Sequence, residues 1–176
     1  MAVTTADSLT LMKGVLARWK AEGLNPVFIC GTDTSELEPD VTFIKIAMKR
    51  EITPLRDLIA IGHAYRVLRR LRPVMVDAST PKAGLLISVA AKLARVPVRL
   101  YTLRGLPLET ARGWRALVYR LTEKLAAACA NRIVCISASL RDSAESRGLL
   151  PKGKAKVIGA GSSNGIDVDY FSPGAV

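Results

Sequence analysis

The chain has 176 residues, of which 49% are hydrophobic and 23% are charged. This length and balance suit one globular domain with a sizeable core, and they exclude a disordered chain. The formal net charge of +11 indicates an anionic partner, such as nucleic acid, an acidic membrane surface or a phosphorylated ligand. No apolar run reaches the roughly 18 residues of a membrane-spanning helix. The start of the chain, which includes Asp7, does not have the pattern of a signal peptide.

The three cysteines are Cys30, Cys129 and Cys135, and two of them lie inside apolar periodic segments. Such positions are typical of small core residues in a reducing compartment rather than of a disulfide framework. We therefore expect free thiols and a cytoplasmic protein.

The first part of the chain predicts the order strand, helix, strand, strand. A short strand is expected over residues 1–5, followed by a helix with one apolar face that ends at Gly23. A buried strand is predicted over 26–30 and a strand with alternating apolar positions over 41–46, on either side of an acidic loop over 31–40. The apolar face of the helix is formed by Leu9, Met12, Val15, Leu16 and Trp19.

Thr53 and Pro54 have the pattern of a cap residue followed by a first helical proline. The helix that follows has apolar residues at helical spacing, which predicts a buried stripe, and arginines elsewhere. The predicted stripe consists of Leu58, Ile61, Tyr65, Leu68 and Leu71, and the arginines are Arg56, Arg66, Arg69 and Arg70.

Residues 73–105 predict the β-α-β unit around which the rest of the chain is organised. Val74, Met75 and Val76 form a short buried strand that ends before the polar run 77–80. Thr80 is a natural cap and Pro81 a natural first helical residue. The helix over 84–94 is apolar nearly all round and should be interior, and a strand follows over 96–103.

The last part predicts helix, strand, helix and strand. After a loop over 106–110, a long helix has the predicted core line Trp114, Leu117, Leu121, Leu125 and Ala128. A buried strand is expected over 131–136, a helix capped by Ser137 and ended by Gly148, and a last strand over 156–159. This alternation predicts an α/β, Rossmann-like fold with a mainly parallel sheet and helices on both faces. Ligands bind such sheets at the C-terminal ends of the strands.

Three stretches carry a resemblance to a known family: ASTPKAGLL at 78–86, YTLRGLPLE at 101–109 and GSSNGIDVDYF at 161–171. Together they resemble the N-terminal half of family 4 glycosyltransferases, which are retaining enzymes with the GT-B fold. The branch in question acts on polyprenyl-linked sugars for bacterial surface polysaccharides. The resemblance implies that 1–176 is the acceptor-binding domain and that a C-terminal, donor-binding domain is absent, so the chain alone would be inactive.

The resemblance also implies a substrate class. A hexose or N-acetylhexosamine would pass from a nucleotide sugar, held mainly by the second domain, to a polyprenyl-linked or glycan acceptor. It implies no cofactor, no metal and no catalytic side chain in this half, because the departing phosphate is thought to take the acceptor proton. His63, the only histidine, lies within a helix and is an improbable base.

Six residues near the predicted strand ends form the candidate acceptor or phosphate site. They are Asp77, Ser79, Thr80, Lys82, Arg104 and Glu109. Lys82 would meet a phosphate together with the N–H groups of its helix end, or it would be a solvated lysine beside a cap. Asp77 would accept a hydrogen bond from the acceptor hydroxyl, or it would tie down a neighbouring loop. Relatives often have histidines where Asp77 and Ser79 stand.

The other two members of the site each have an alternative role. Arg104 would contact phosphate or sugar at a strand end, next to Gly105, which permits a close turn. Glu109 would also contact phosphate or sugar, or it would only stabilise the start of the long helix, where the helix dipole is positive.

The basic residues support a further hypothesis, a peripheral location on an anionic membrane surface, against the alternative of a solvated face. They are Arg56, Arg66, Arg69, Arg70, Arg112, Arg115 and Arg120, with Trp114 and Tyr119 nearby. The other function left open is a free-standing basic module that binds a phosphorylated ligand or nucleic acid. Nucleic acid is not expected, because aromatic residues make up only 5% and no recognition motif occurs. A dinucleotide-dependent oxidoreductase is not expected either, because the chain lacks the G-x-G-x-x-G turn between a strand and a helix.

Overall fold

The computed structural model describes residues 1–4, 15–32, 42–48, 51 and 53–162. The strands in these ranges are β1 (Ala2–Val3), β2 (Val27–Cys30), β3 (Thr42–Lys45), β4 (Met75–Ser79), β5 (Val98–Leu103), β6 (Arg132–Cys135) and β7 (Ala155–Val157). These seven strands form one parallel sheet in the order β3-β2-β1-β4-β5-β6-β7. The start of the predicted first helix, the acidic loop and the predicted tail motif lie outside the described residues.

The helices cover both faces of this sheet, as predicted. They are α1 (Val15–Ala21), α2 (Pro54–Leu71), α3 (Pro81–Leu93), α4 (Trp114–Cys129) and α5 (Ala138–Ser146), with a 3-10 turn at Pro107–Glu109. Neighbouring residues of a strand point to opposite faces. Ala2 belongs to the core cluster under α2 and α3, whereas Val3 packs in the cluster that includes Trp19 of α1. The Rossmann-like α/β prediction is therefore confirmed.

α3 is the interior helix, because it packs between α2 and α4 and also contacts β1, β4 and β5. Its buried residues include Ala83, Gly84, Leu86 and Ile87. This confirms the prediction drawn from its apolar circumference. A helix that supplies its own large side chains leaves little room between itself and its neighbours, so those neighbours must approach with small residues.

The predicted buried stripe of α2 is largely wrong. Ala60, Ala64 and Leu68 are the buried residues, whereas Leu58 is 68% and Leu71 is 42% exposed. Of the predicted stripe only Leu68 is buried, with Ile61 partly buried against the core. The alanines face α3 because they allow the two helix backbones to approach closely.

The predicted core line of α4 is wrong for the same reason. Trp114, Leu117, Leu121 and Leu125 are 64%, 59%, 58% and 49% exposed, and Ala128 is exposed too. The buried face consists instead of Glu123, Ala126, Ala127 and Cys129. Its polar member is paired, since the hydroxyl of Tyr101 on β5 donates to Oε2 of Glu123 at 2.7 Å.

The strand prediction was too short at β4. The strand continues through Asp77 to Ser79, because parallel pairing with β5 continues through Asp77 opposite Leu100 and Ser79 opposite Thr102. Asp77 therefore lies in the middle of the strand rather than at its end. β7 in turn ends at Val157 instead of continuing to Gly159.

The prediction for the cysteines is confirmed. Cys30, Cys129 and Cys135 are buried free thiols. In the part of the chain that the structure describes, no helix combines the length and the apolarity needed to cross a bilayer.

Candidate functional site

The crevice between the ends of β1 and β4 is the topological switch point of the sheet. The chain leaves β1 toward α1 on one face and leaves β4 toward α3 on the other, so the two connections diverge there. Open parallel sheets bind their ligands at such a point, beyond the C-terminal strand ends. Thr4 follows β1 and Thr80 follows β4, and their Oγ1 atoms are hydrogen-bonded at 2.7 Å.

Thr80 has a backbone conformation that a β-branched residue rarely adopts, with φ 97° and ψ 143°. Such a conformation costs on the order of 1–3 kcal/mol and is concentrated at binding sites. Its hydroxyl does not cap α3, contrary to prediction, but faces Thr4 across the crevice. Pro81 nevertheless begins the helix as expected, so the first turn of α3 presents its N–H groups at this edge.

A buried polar group lies beside the crevice on the face opposite α3. Oδ1 of Asp77 accepts hydrogen bonds from the hydroxyl of Thr102 at 2.8 Å and from that of Ser79 at 3.5 Å. Asp77 is 8% exposed and Ser79 is fully buried. Arg104 follows β5 directly and is close enough for each charge to change the pKa of the other.

Burial raises the pKa of Asp77, while the Thr102 hydrogen bond and the positive charges of the Met1 amine and Arg104 act in the opposite direction. Burial also lowers the pKa of Arg104, against the attraction of Asp77. A partly buried guanidinium near a carboxylate is well suited to bind phosphate or sugar oxygens. Asp77 is suited to orient it and to hold Thr102.

Lys82 points away from this group. Its Nζ donates to Oδ2 of Asp57 at 2.6 Å and to the carbonyl of Glu51 at 2.7 Å, and the side chain is only 12% exposed. Asp57 also accepts from the hydroxyl of Thr53 at 3.0 Å. Lys82 therefore ties α3 to the start of α2, and it is not the solvated lysine of the alternative reading. A contact with phosphate stays a prediction.

Glu109 is likewise separate, because its Oε1 accepts from the hydroxyl of Ser143 on α5 at 3.2 Å. The structure thus brings Asp77, Ser79 and Arg104 together and places Thr80 in the adjacent crevice, while Lys82 and Glu109 contact other helices.

Sequence reasoning missed Thr4, Thr102 and Asp57. Thr102 had a usable signal, because it is a hydroxyl residue near the end of a predicted strand. Once the register is known, it lies opposite Ser79 at the polar end of β4. Asp57 had none, because its partner lies 25 residues away on another helix. His63 is exposed on α2. In the ranges that the structure describes, no three His, Cys, Asp or Glu side chains group as metal ligands would.

A cavity of about 460 Å³ lies elsewhere, lined by Trp19, Leu24, Pro73 and Val74 among others, and Asp77 borders it. Neither Thr80 nor Arg104 lines it. Its walls are mostly apolar, and we assign it no ligand.

Replacing Lys82 with methionine is expected to lower the free energy of unfolding by about 2 kcal/mol, because Asp57 then keeps its charge without its partner. Urea unfolding of this variant, of Asp57→Ala and of the double variant measures the coupling between the two residues. Lys152→Met, at an exposed lysine, serves as the control and should change stability by less than about 0.5 kcal/mol. Additive effects of the two substitutions would contradict the ion-pair role.

Comparison with known proteins gives a family match over most of the chain. The model of the glycosyl transferase 4-like domain matches residues 11–161. The capsular polysaccharide biosynthesis glycosyltransferase CapM of Staphylococcus aureus is 36% identical over 172 residues, which is 96% of this chain and 45% of CapM. An Escherichia coli UDP-Gal:α-D-GlcNAc-diphosphoundecaprenol α-1,3-galactosyltransferase is 29% identical over 145 residues, 81% of this chain and 36% of that enzyme.

A solved structure supports the fold. Anabaena HepE, crystallised with UDP and glucose, superposes with a TM-score of 0.62 over 84% of this chain and 39% of its own, at 19% identity. At that identity the likeness concerns the fold alone. The chain spans less than half the length of each of the two curated relatives.

Proposed function

Because the chain belongs to the glycosyl transferase 4-like domain family, we propose that it forms the acceptor-side half of a sugar-nucleotide-dependent glycosyltransferase. The acceptor would be a polyprenyl-linked or surface-polysaccharide intermediate, and the transferred group a hexose or N-acetylhexosamine. The two relatives support this class, since one is named for capsular polysaccharide and the other for a diphosphoundecaprenol acceptor. The lengths of these relatives leave room for the donor-binding domain that we propose as the other half.

The observation that carries the proposal is the switch point between β1 and β4, where the hydroxyls of Thr4 and Thr80 are hydrogen-bonded, with Asp77 and Arg104 nearby. A lipid-linked sugar presents a diphosphate next to its sugar hydroxyls. Arg104 can bind the diphosphate through paired N–H donors, and the first turn of α3 adds backbone donors at the same edge. Thr80 is half-buried, so its hydroxyl can bind the sugar while that of the buried Thr4 orients it.

No side chain of this group is proposed as a catalytic base. Oδ1 of Asp77 already accepts hydrogen bonds from Thr102 and Ser79, and we assign Asp77 the positioning of Arg104. The acceptor proton would pass to the departing phosphate of the donor, with retention of configuration and without a metal from this half. Because sugar nucleotides are cytoplasmic, the enzyme would work in the cytoplasm at the inner membrane surface.

The proposal is tested by assaying the protein that carries this chain, joined to its donor-binding half, with a panel of nucleotide sugars and a short-chain polyprenyl-diphosphate sugar. We expect transfer of one sugar, and we expect Arg104→Ala to lower kcat/KM by about tenfold to a hundredfold through the lost phosphate contact. Arg18→Ala is the control, because the side chain of Arg18 is 81% exposed on α1.

Two outcomes would contradict the proposal. Unchanged kcat/KM in Arg104→Ala would remove Arg104 from the acceptor site. Binding of the lipid diphosphate without transfer from any donor would favour the alternative of a binding module for phosphorylated ligands.

A further inference from the structure

The large apolar residues of α4 form a line that faces solvent. Trp114, Leu117, Leu121 and Leu125 are between 49% and 64% exposed, and we call them the α4 stripe. They repeat every three or four residues, so they share one side of the helix. At 1.5 Å per residue the stripe is about 16 Å long. A contiguous apolar line of this size on a domain surface marks an interaction site.

The exposed charged residues of α4 itself are all basic. The basic residues of this segment are Arg112, Arg115, Arg120 and Lys124, all but one of them on α4 itself. The segment's acidic residue, Glu123, is buried against Tyr101 and contributes nothing to the surface. The guanidinium of Arg115 lies 5.7 Å from the ring centroid of Trp114. The helix therefore combines an apolar line with a cationic border, as helices that lie in a membrane interface do.

The beginning of α2 repeats this combination. Leu55, Leu58 and Ile59 are 81%, 68% and 72% exposed, with Arg56 among them. α3 packs between α2 and α4, and all three helices begin at the C-terminal edge of the parallel sheet. The exposed apolar residues of α2 and the first residues of the α4 stripe are thus on the same side of the sheet and near the same edge, the edge with the candidate site.

We propose that the α4 stripe, together with the beginning of α2, docks on an anionic membrane surface. The apolar side chains enter the boundary between headgroups and acyl chains, while the arginines and Lys124 bind lipid phosphates. Charge decides between this occupant and a second copy of the chain. If two copies of the chain met through this surface, their arginines would face and repel one another, and each copy has a net charge of +11. An anionic bilayer instead neutralises these charges.

Docking in this way holds the edge of the sheet with Thr80 and Arg104 beside the membrane surface. A lipid-linked acceptor would then present its diphosphate to Arg104 while its chain stays in the bilayer. This consequence rests on the function proposed above. The docking surface itself does not, because it is argued from exposure and charge.

The test is flotation of the protein that carries this chain with vesicles of phosphatidylglycerol and phosphatidylcholine, or of phosphatidylcholine alone. We expect binding to the anionic vesicles only, and a loss of about tenfold or more in Leu117→Ser/Leu121→Ser. Leu24→Ser/Val74→Ser is the matched control, because these side chains are 51% and 76% exposed near the opposite strand ends. Arg115→Gln/Lys124→Gln should weaken anionic binding as well.

Insertion is measured separately from the difference in fluorescence between Trp19→Phe and Trp19→Phe/Trp114→Phe, which isolates the signal of Trp114. Its emission should shift to shorter wavelength on anionic vesicles and be quenched by brominated acyl chains. The proposal would be overturned by any of three results. These are equal binding to both vesicle types, wild-type binding by the stripe variant Leu117→Ser/Leu121→Ser, and emission of Trp114 that is already shielded without lipid. Docking is separated from catalysis by the transfer activity of the stripe variant. We expect it to keep its activity on a water-soluble acceptor and to lose activity only on a vesicle-bound acceptor.

Discussion

Replacing Gly84 with alanine is expected to lower the free energy of unfolding by about 3 kcal/mol, because overpacking a filled core is costly. Gly84 is buried in α3, and a Cβ there would overlap Cε2 of the Tyr101 ring and lie 3.0 Å from its Cζ. The ring cannot move aside freely. Its hydroxyl is hydrogen-bonded to Glu123 on α4, so a shift would also disturb the packing of α4 against β5.

A matched control exists in Gly62, an exposed glycine of α2 around which a Cβ would meet nothing within 4 Å. Gly62→Ala is expected to raise the free energy of unfolding by about 0.5–1 kcal/mol through helix propensity. Urea unfolding of both variants gives opposite signs for the same chemical change. The double variant Gly84→Ala/Tyr101→Leu should lose less unfolding free energy than the two single variants lose together. Strictly additive losses would show that the ring is not the obstacle.

Glu123 is expected to make stability depend on pH near neutrality. Burial raises its pKa from 4.5 to about 7, although the hydrogen bond from Tyr101 opposes this. The folded state therefore holds a proton between about pH 4.5 and 7 that the unfolded chain releases, so stability falls as pH rises through this range. At 1.36 kcal/mol per pKa unit the loss amounts to about 3 kcal/mol.

The measurement is urea unfolding of the wild type and of Glu123→Gln at pH values from 4.5 to 8. Glutamine resembles the protonated carboxyl and can still accept from Tyr101, so the variant should lack this decline and be the more stable protein above pH 7. Glu22→Gln, at a glutamate whose side chain is 61% exposed, should keep the wild-type slope. Parallel curves for the wild type and Glu123→Gln would show that Glu123 titrates as it does in the unfolded chain.

The secondary structure was predictable because its signals are local. The proline after Thr80 begins α3, the hydroxyl of Ser137 caps α5 by accepting from the N–H of Leu140 at 3.2 Å, and short apolar runs became parallel strands, of which β3 is only half-buried. The end of β4 was misjudged because polarity was taken as the end of the strand. Asp77 and Ser79 stay in the sheet because Thr102 on the next strand satisfies the carboxylate.

The sequence by itself determined the alternation of strands and helices, the parallel sheet and the interior position of α3. Only the tertiary structure decided which side of α2 and α4 faces inward, and which candidate residues meet. Periodicity shows that Leu117 and Leu121 share a face, but the space beside α3 admits alanines and a paired glutamate there. Likewise Lys82 follows Asp77 closely in sequence, yet α3 places it against Asp57. A contact depends on where two elements pack and not on their spacing along the chain.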